Sequence, residues 1–344
     1  MTQKLLLWYS KNKRSFLWRE SQDPYKVWLS EVILQQTRTE QGLPYFKRFL
    51  NAYPRLGDLA LAKEDEVLKL WQGLGYYSRA RNLHFTAQFI HNKLGGIFPN
   101  TFESLIKLKG VGDYTASAIA SICFGIPQAV VDGNVYRFLS RYFGIETPIN
   151  STSGHKIFKK KAMNMMGHSH PGTFNQAMME FGSIHCTPKR PKCPSCPFSK
   201  NCAALNQNKI STLPVKTSRT KIKKRYFNYL VVSDHQDHYV FEKRLNKGIW
   251  QNLYQFPLLE STKGIKSKNT LIAHPNFPEK FSTINKTIKL LNSKPVTHKL
   301  THQILEVNFW QIKTNMKLNN CVSKESIDRF AVPVVIDDFL KKFF

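Results

Sequence analysis

"LKGVGDYTASAIASICF", residues 108–124, sets a Gly-x-Gly turn between the end of one apolar helix and the start of another. Gly110 and Gly112 permit backbone conformations that other residues resist, and the N–H groups at the next helix start can then face a phosphate. A plain helix–helix connection has the same appearance, so the surroundings must decide. From about residue 2 to residue 205 apolar residues recur at helical spacing, broken by Pro24, Pro44, Pro54, Gly73, Gly75, Pro99, Pro127 and Pro148, which predicts many short helices. "GNVYRFLSRYFG", residues 133–144, is one of them, with Val135, Phe138, Leu139, Tyr142 and Phe143 on one face.

A chain of 344 residues exceeds what one core usually serves, so two domains are expected. Residues 1–205 read as the helical domain, and 206–222 as a polar, basic linker. Residues 223–344 read as a domain containing a sheet, because "YFNYLVVS", "HYVFEKR", "QILEVNFWQIKT" and "FAVPVVI" are aromatic and β-branched. The formal net charge of +28 is spread over both halves and favours a polyanionic partner. "MTQKLLLWYSKNKRSFLW" is too short an apolar run, too soon interrupted by lysine and arginine, for a signal peptide, and no later stretch could span a bilayer. The expectation is a soluble cytoplasmic protein without disulfides.

Four of the six cysteines stand at C-x6-C-x2-C-x5-C: Cys186, Cys193, Cys196 and Cys202. The interleaved prolines prevent a helix that would point the thiols apart. Spacing alone leaves two candidates, a structural zinc site and an iron–sulfur cluster. The lysines and arginine between the cysteines suit contact with phosphates. Eighteen residues after Tyr114 comes Asp132, which by default is the N-cap of the helix that follows.

The hairpin, the Asp at that distance and the cysteine run together resemble the helix-hairpin-helix DNA glycosylases of the endonuclease III superfamily, and within it the adenine DNA glycosylase (MutY) family. The stretches that carry the likeness are "WLSEVILQQTR", "WQGLGYYSRARNLH", "LKGVGDYTASAIAS", "VVDGNVYRFLSR", the cysteine run and, beyond the linker, "GIWQNLYQFP". The resemblance implies a mainly α glycosylase domain with a 4Fe-4S cluster on the four cysteines, followed by an α+β Nudix-like domain. It implies a monomer acting on double-stranded DNA with adenine opposite 8-oxoguanine or guanine, and a nucleoid-associated place in a bacterial cytoplasm.

The resemblance also implies roles for residues. Glu31 is the general acid, raised in pKa by burial, since Val27 and Leu34 share its helix face. Asp132 stays ionised and stabilises or briefly traps the oxocarbenium-like sugar. Tyr114 and Asn134 hydrogen-bond around them and position the nucleophilic water. Where bifunctional relatives place a Schiff-base lysine, this chain has Tyr114, which implies a monofunctional enzyme that leaves an abasic site. Trp18 and Arg19 belong to a pocket for the flipped base, and Gln36 and Tyr76 wedge into the opened stack. Gly110, Val111 and Gly112 hold a phosphate, aided by a monovalent cation.

In the second domain, "HKLTH" stands where the family has His-x-Phe-Ser-His, so His298, Thr301 and His302 are assigned to lesion reading, Thr301 keeping a hydroxyl. After Gly248 only Glu260 and Glu279 appear before residue 300, at the wrong spacing for a magnesium-binding Nudix helix. Two other classes fit parts of the pattern. One is a bifunctional glycosylase/lyase for oxidised pyrimidines, the other a non-catalytic iron–sulfur DNA-binding protein.

Overall fold

The structure is a computed structural model and describes residues 1–167, 170–217, 222–281, 286–315, 317–318 and 321–343. The chain packs into two compact units, Met1–Leu61 with Arg81–Ser218, and Ala62–Ala80 with Arg219–Phe344. A short stretch of the helical region, Ala62–Ala80, therefore packs with the strand-rich segment. Among the described residues no helix is long and apolar enough to cross a membrane.

The first unit is helical. Its Gly133–Phe143 helix buries Val135, Phe138 and Leu139 against Phe174, Met178 and Phe181 of the Pro171–Ile184 helix. Each of these large side chains contributes about 1.5–3 kcal/mol by leaving water. Phe198 joins the same cluster, its ring 5.1 Å from Phe181 and 5.5 Å from Phe138, and so pins the cysteine loop to the core. Within that loop the prolines allow only single 3-10 turns, at Cys193–Ser195 and Ser199–Asn201.

Asp23 caps the Pro24–Leu34 helix by accepting from the Tyr25 N–H at 2.9 Å, and Pro24 fills a first-turn position that needs no donor. From Val27 to Ile33 every residue of this helix is buried, so Glu31 is embedded rather than displayed on a solvated face.

The second unit is built on a seven-stranded sheet. Its two long strands, Lys223–Ser233 and Gln303–Thr314, run parallel in continuous register from Lys223↔Gln303 to Ser233↔Lys313. Leu230, Val232, Trp310 and Ile312 face one core, while on the other face Phe309 stacks on Phe339 at 3.9 Å. "FAVPVVI" differs from its strand expectation. Pro333 accepts from the Ile336 and Asp337 N–H groups and opens a helix, Val334–Phe343, whose buried residues Val335, Ile336, Phe339 and Leu340 follow helical spacing. The strand-like composition ends too early to reveal that period.

Candidate active site

Glu31 and Asp132, far apart in sequence, line one open pocket of about 700 Å³, including the space at its mouth. Trp18, Arg19, Tyr114 and Asn134 line it with them. Glu31 reaches the pocket from the buried Pro24–Leu34 helix. Burial pushes its carboxyl up to about 7, against the opposing pull of a hydrogen bond from Tyr114, and the nearby Asp132 charge adds to the rise.

Asp132 caps the Gly133–Phe143 helix, as its default reading has it, and faces the pocket as well. One oxygen accepts from the Asn134 and Val135 N–H groups at 3.0 and 2.8 Å, and the other from Asn134 Nδ2 at 2.7 Å. Burial raises its carboxyl, while these three donors draw it back toward the anion they are aimed at. Tyr114 is fully enclosed, so its phenol is held well above its ordinary value and stays a proton donor, within 3.4 Å of Met179 Sδ. Arg137 ties this machinery to the cysteine loop. Its Nη2 donates to Asn134 Oδ1 at 2.9 Å and its Nε to the Cys186 carbonyl at 2.8 Å.

Trp18 is buried, stacked on Phe16 at 4.8 Å and edge-on to Phe46 at 5.7 Å, and still borders the pocket. Arg19 is fixed by Glu180, Nη2 to Oε2 at 2.7 Å, and Arg14 donates to the same carboxylate through its N–H and its guanidinium. Burial would raise Glu180, but the two arginines outweigh it and hold the carboxyl at about 2. Glu180, Gln176 and Ser183 were not singled out from the sequence, yet all three line the pocket. Their signal is a polar stripe at i, i+4 and i+7 on an otherwise apolar helix.

In the hairpin, only Gly110 needs glycine for its conformation. Its φ is +80°, and a Cβ there would meet Asn82 Cβ at 2.7 Å. Gly112 has an ordinary extended backbone, φ −94°, contrary to the expectation for it, and among the described residues a Cβ would meet nothing within 4 Å beyond its own chain neighbours. Open space beside the Asp113–Phe124 helix start, whose first N–H groups lack intrahelical partners, suits the approach of something external. Val111 is buried and anchors the turn, its N–H donating to the Leu108 carbonyl.

Gln36 and Tyr76 lie outside the pocket. Both are exposed and both have left-handed backbones, φ +58° and +48°, a conformation non-glycine residues hold only under constraint. Within the second unit, the Tyr76 hydroxyl bonds Thr301 Oγ1 at 2.6 Å. His298 lies on the Val296–Lys299 strand 5.7 Å from the Trp250 ring, its pKa lowered by burial, whereas His302 is exposed beside Thr301.

Cys186, Cys193, Cys196 and Cys202 border one apolar cavity, with Arg141 Nη1 3.6 Å from Cys186 Sγ. Among the described residues no three His, Cys, Asp or Glu side chains converge as ligands of a single ion. Four cysteines lining one apolar cavity are a thiol-only donor set of the kind that iron–sulfur clusters and structural zinc both take.

Residues 29–162 match the family described as "HhH-GPD superfamily base excision DNA repair protein", and residues 228–342 match the NUDIX domain. The chain is 35% identical over 307 residues to the adenine DNA glycosylase of Buchnera aphidicola subsp. Baizongia pistaciae, covering 89% of this chain and 84% of that one. Among solved structures it is similar to a thermostable thymine-DNA glycosylase, with a TM-score of 0.56, 29% identity, and 60% of this chain and 95% of that one covered. A non-covalent endonuclease III–DNA complex shares the fold at a TM-score of 0.52 and 22% identity, over 60% of this chain and 94% of that one.

Proposed function

This chain belongs to the adenine DNA glycosylase family of the HhH-GPD base excision repair superfamily, and from that premise we propose how its own residues remove adenine and which mispair they serve. It is a DNA glycosylase that hydrolyses N-glycosyl bonds, and DNA is its partner. The proposed substrate is adenine opposite 8-oxoguanine or guanine, flipped into the pocket between Trp18 and the two carboxyls.

Glu31, whose burial keeps a proton on it up to about pH 7, donates that proton to adenine N7. The electron pair of the bond from C1′ to N9 then leaves with the base. Asp132, fixed by its cap bonds, stabilises the cationic sugar from below. Water adds to C1′ and gives up a proton to the Glu31 carboxylate, which restores the acid. Tyr114 and Asn134 orient the two carboxyls, and Gly110, Val111 and Gly112 hold a phosphate, with a monovalent cation at the hairpin. Gln36 and Tyr76 fill the opened stack, while His298, Thr301 and His302 face the lesion.

A 4Fe-4S cluster on Cys186, Cys193, Cys196 and Cys202 would brace the basic loop between them for phosphate contact. The enzyme acts as a monomer in the cytoplasm. The observation that carries the reading is one pocket holding a carboxyl with a pKa of about 7 beside a second carboxyl bound by three N–H donors. Among the described residues no lysine lines that pocket, so strand cleavage through a Schiff base has no nucleophile there.

The test is incubation of the intact protein with a duplex bearing adenine opposite 8-oxoguanine, analysed with and without alkali. Strand breaks that appear only after alkali support a monofunctional glycosylase. Breaks without alkali would assign a lyase, and no product would leave a silent DNA-binding module.

A further inference from the structure

The turn that carries Tyr76 has little regular backbone to hold it. Gly73, Gly75 and Tyr76 all have left-handed φ values, +91°, +78° and +48°. Its internal shape is set by the Gly75 carbonyl, which accepts from Trp71 Nε1 at 2.9 Å and Arg79 Nη2 at 3.2 Å, with the Arg79 guanidinium 5.5 Å from the Tyr76 ring centre. These contacts are internal to the turn. They fix its form and leave its placement to something else.

That placement comes from Gln72. Its Oε1 accepts from the Val332 N–H at 3.2 Å and from Lys69 Nζ at 3.2 Å, while its Nε2 donates to Asp337 Oδ1 at 3.0 Å. The Tyr77 hydroxyl donates to the Val332 carbonyl at 3.3 Å, and Lys69 Nζ to the Phe330 carbonyl at 3.0 Å. Both peptide groups of the buried Val332 are thus gripped by residues that flank the turn, within the same compact unit. A side-chain amide gripping a peptide N–H and a carboxylate at once fixes direction as well as distance, because its donor and acceptor lie at opposite corners of one plane.

We infer that Gln72 is a positioning residue for Tyr76: by docking the 71–79 turn on the 330–337 segment it sets where the Tyr76 ring stands and lets the hydroxyl meet Thr301. The inference rests on the reading of Tyr76 as a DNA wedge. Gln72 touches no reacting atom. Its effect appears in how the stack is opened and in the choice between 8-oxoguanine and guanine.

The experiment uses the full chain and a duplex with 2-aminopurine beside 8-oxoguanine, opposite an adenosine whose 2′-fluorine blocks excision by disfavouring a cationic sugar. Fluorescence rises when the stack is opened. Tyr76→Ala should abolish the rise, Gln72→Leu should lose most of it, and the double variant should lose no more than Tyr76→Ala. On unmodified adenosine, Gln72→Leu should reduce the preference for 8-oxoguanine over guanine by up to about 10²-fold, the cost of an ångström-scale misplacement. Should Gln72→Leu melt well below the parent, Tyr77→Phe, which removes the bond to the Val332 carbonyl and the one its hydroxyl accepts from the Gly73 N–H at 3.3 Å, takes its place with a partial loss expected.

A full fluorescence rise in the Gln72 or Tyr77 variant, with Tyr76→Ala dark, overturns the inference alone. A full rise in Tyr76→Ala overturns the wedge reading and the inference with it. A wild-type protein without preference for 8-oxoguanine overturns the lesion reading, and the fluorescence arm then still decides the role of Gln72.

Discussion

Replacing Glu31 by Gln removes a carboxyl that the fold moves to about 7, and the consequence for stability is calculable. Between the ordinary value of 4.5 and about 7, the folded chain keeps a proton that the unfolded chain releases. This group's contribution therefore falls as pH rises through that window, costs nothing below it, and above it amounts to about 3 kcal/mol of lost stability. Gln is neutral throughout and carries no such penalty. The stability of Glu31→Gln relative to the parent should thus grow by about 2–3 kcal/mol from pH 5 to pH 8, with the fixed cost of the substitution cancelling from the difference. Paired urea unfolding curves of the two proteins at the two pH values, in the same state of metal loading, measure it. A gap that stays constant with pH would mean that Glu31 titrates like a solvated carboxylate, and the argument from burial would be refuted.

Asp132→Asn keeps an acceptor for the Asn134 and Val135 N–H groups but sets an amide NH2 against Asn134 Nδ2, so it should cost about 1–3 kcal/mol of stability, while excision falls about 10²–10³-fold with the loss of the carboxylate; thermal melts and single-turnover rates separate the two effects. Gly110→Ala should cost about 1–3 kcal/mol of stability, since its φ is +80° and its Cβ would collide with Asn82, whereas Gly112→Ala should melt like the parent yet bind duplex DNA more weakly where a phosphate approaches. Elemental analysis of the purified protein should find about four irons per chain and no zinc, a stoichiometry read from the four cysteines around one cavity.

The resemblance, not a local pattern, assigns the roles of the chemistry-bearing residues, and the local patterns only agree with where they stand. Asp132 stands immediately before an amphipathic helix, the cysteines are spaced for convergence, and Glu31 has apolar neighbours on its own helix face. What sequence spacing could not carry were pairings between distant segments. Glu180 reads as one acid on an apolar helix until Arg14 and Arg19 are brought to it by a loop more than 150 residues away in the chain. The packing of Ala62–Ala80 within the second unit depends on Gln72, Asp65 and Tyr77 meeting Asp337, Lys243 and Val332, and no periodicity reports such contacts. Gly112 shows the reverse case. Its glycine was read as a conformational need, while the backbone there is ordinary and the need is for empty space. "FAVPVVI" was misread because composition outweighed a helical period completed only at Phe339 and Leu340.

The most direct test of the central claim, two buried carboxyls acting on one flipped adenine, is the single-turnover excision rate from an adenine:8-oxoguanine duplex across pH 5–9. The parent should show a plateau that falls about tenfold per pH unit above about 7, where Glu31 loses its proton, and Glu31→Gln should release no adenine at any pH. A Glu31→Gln protein that excises adenine at the parent rate, with the same pH profile, would contradict the account.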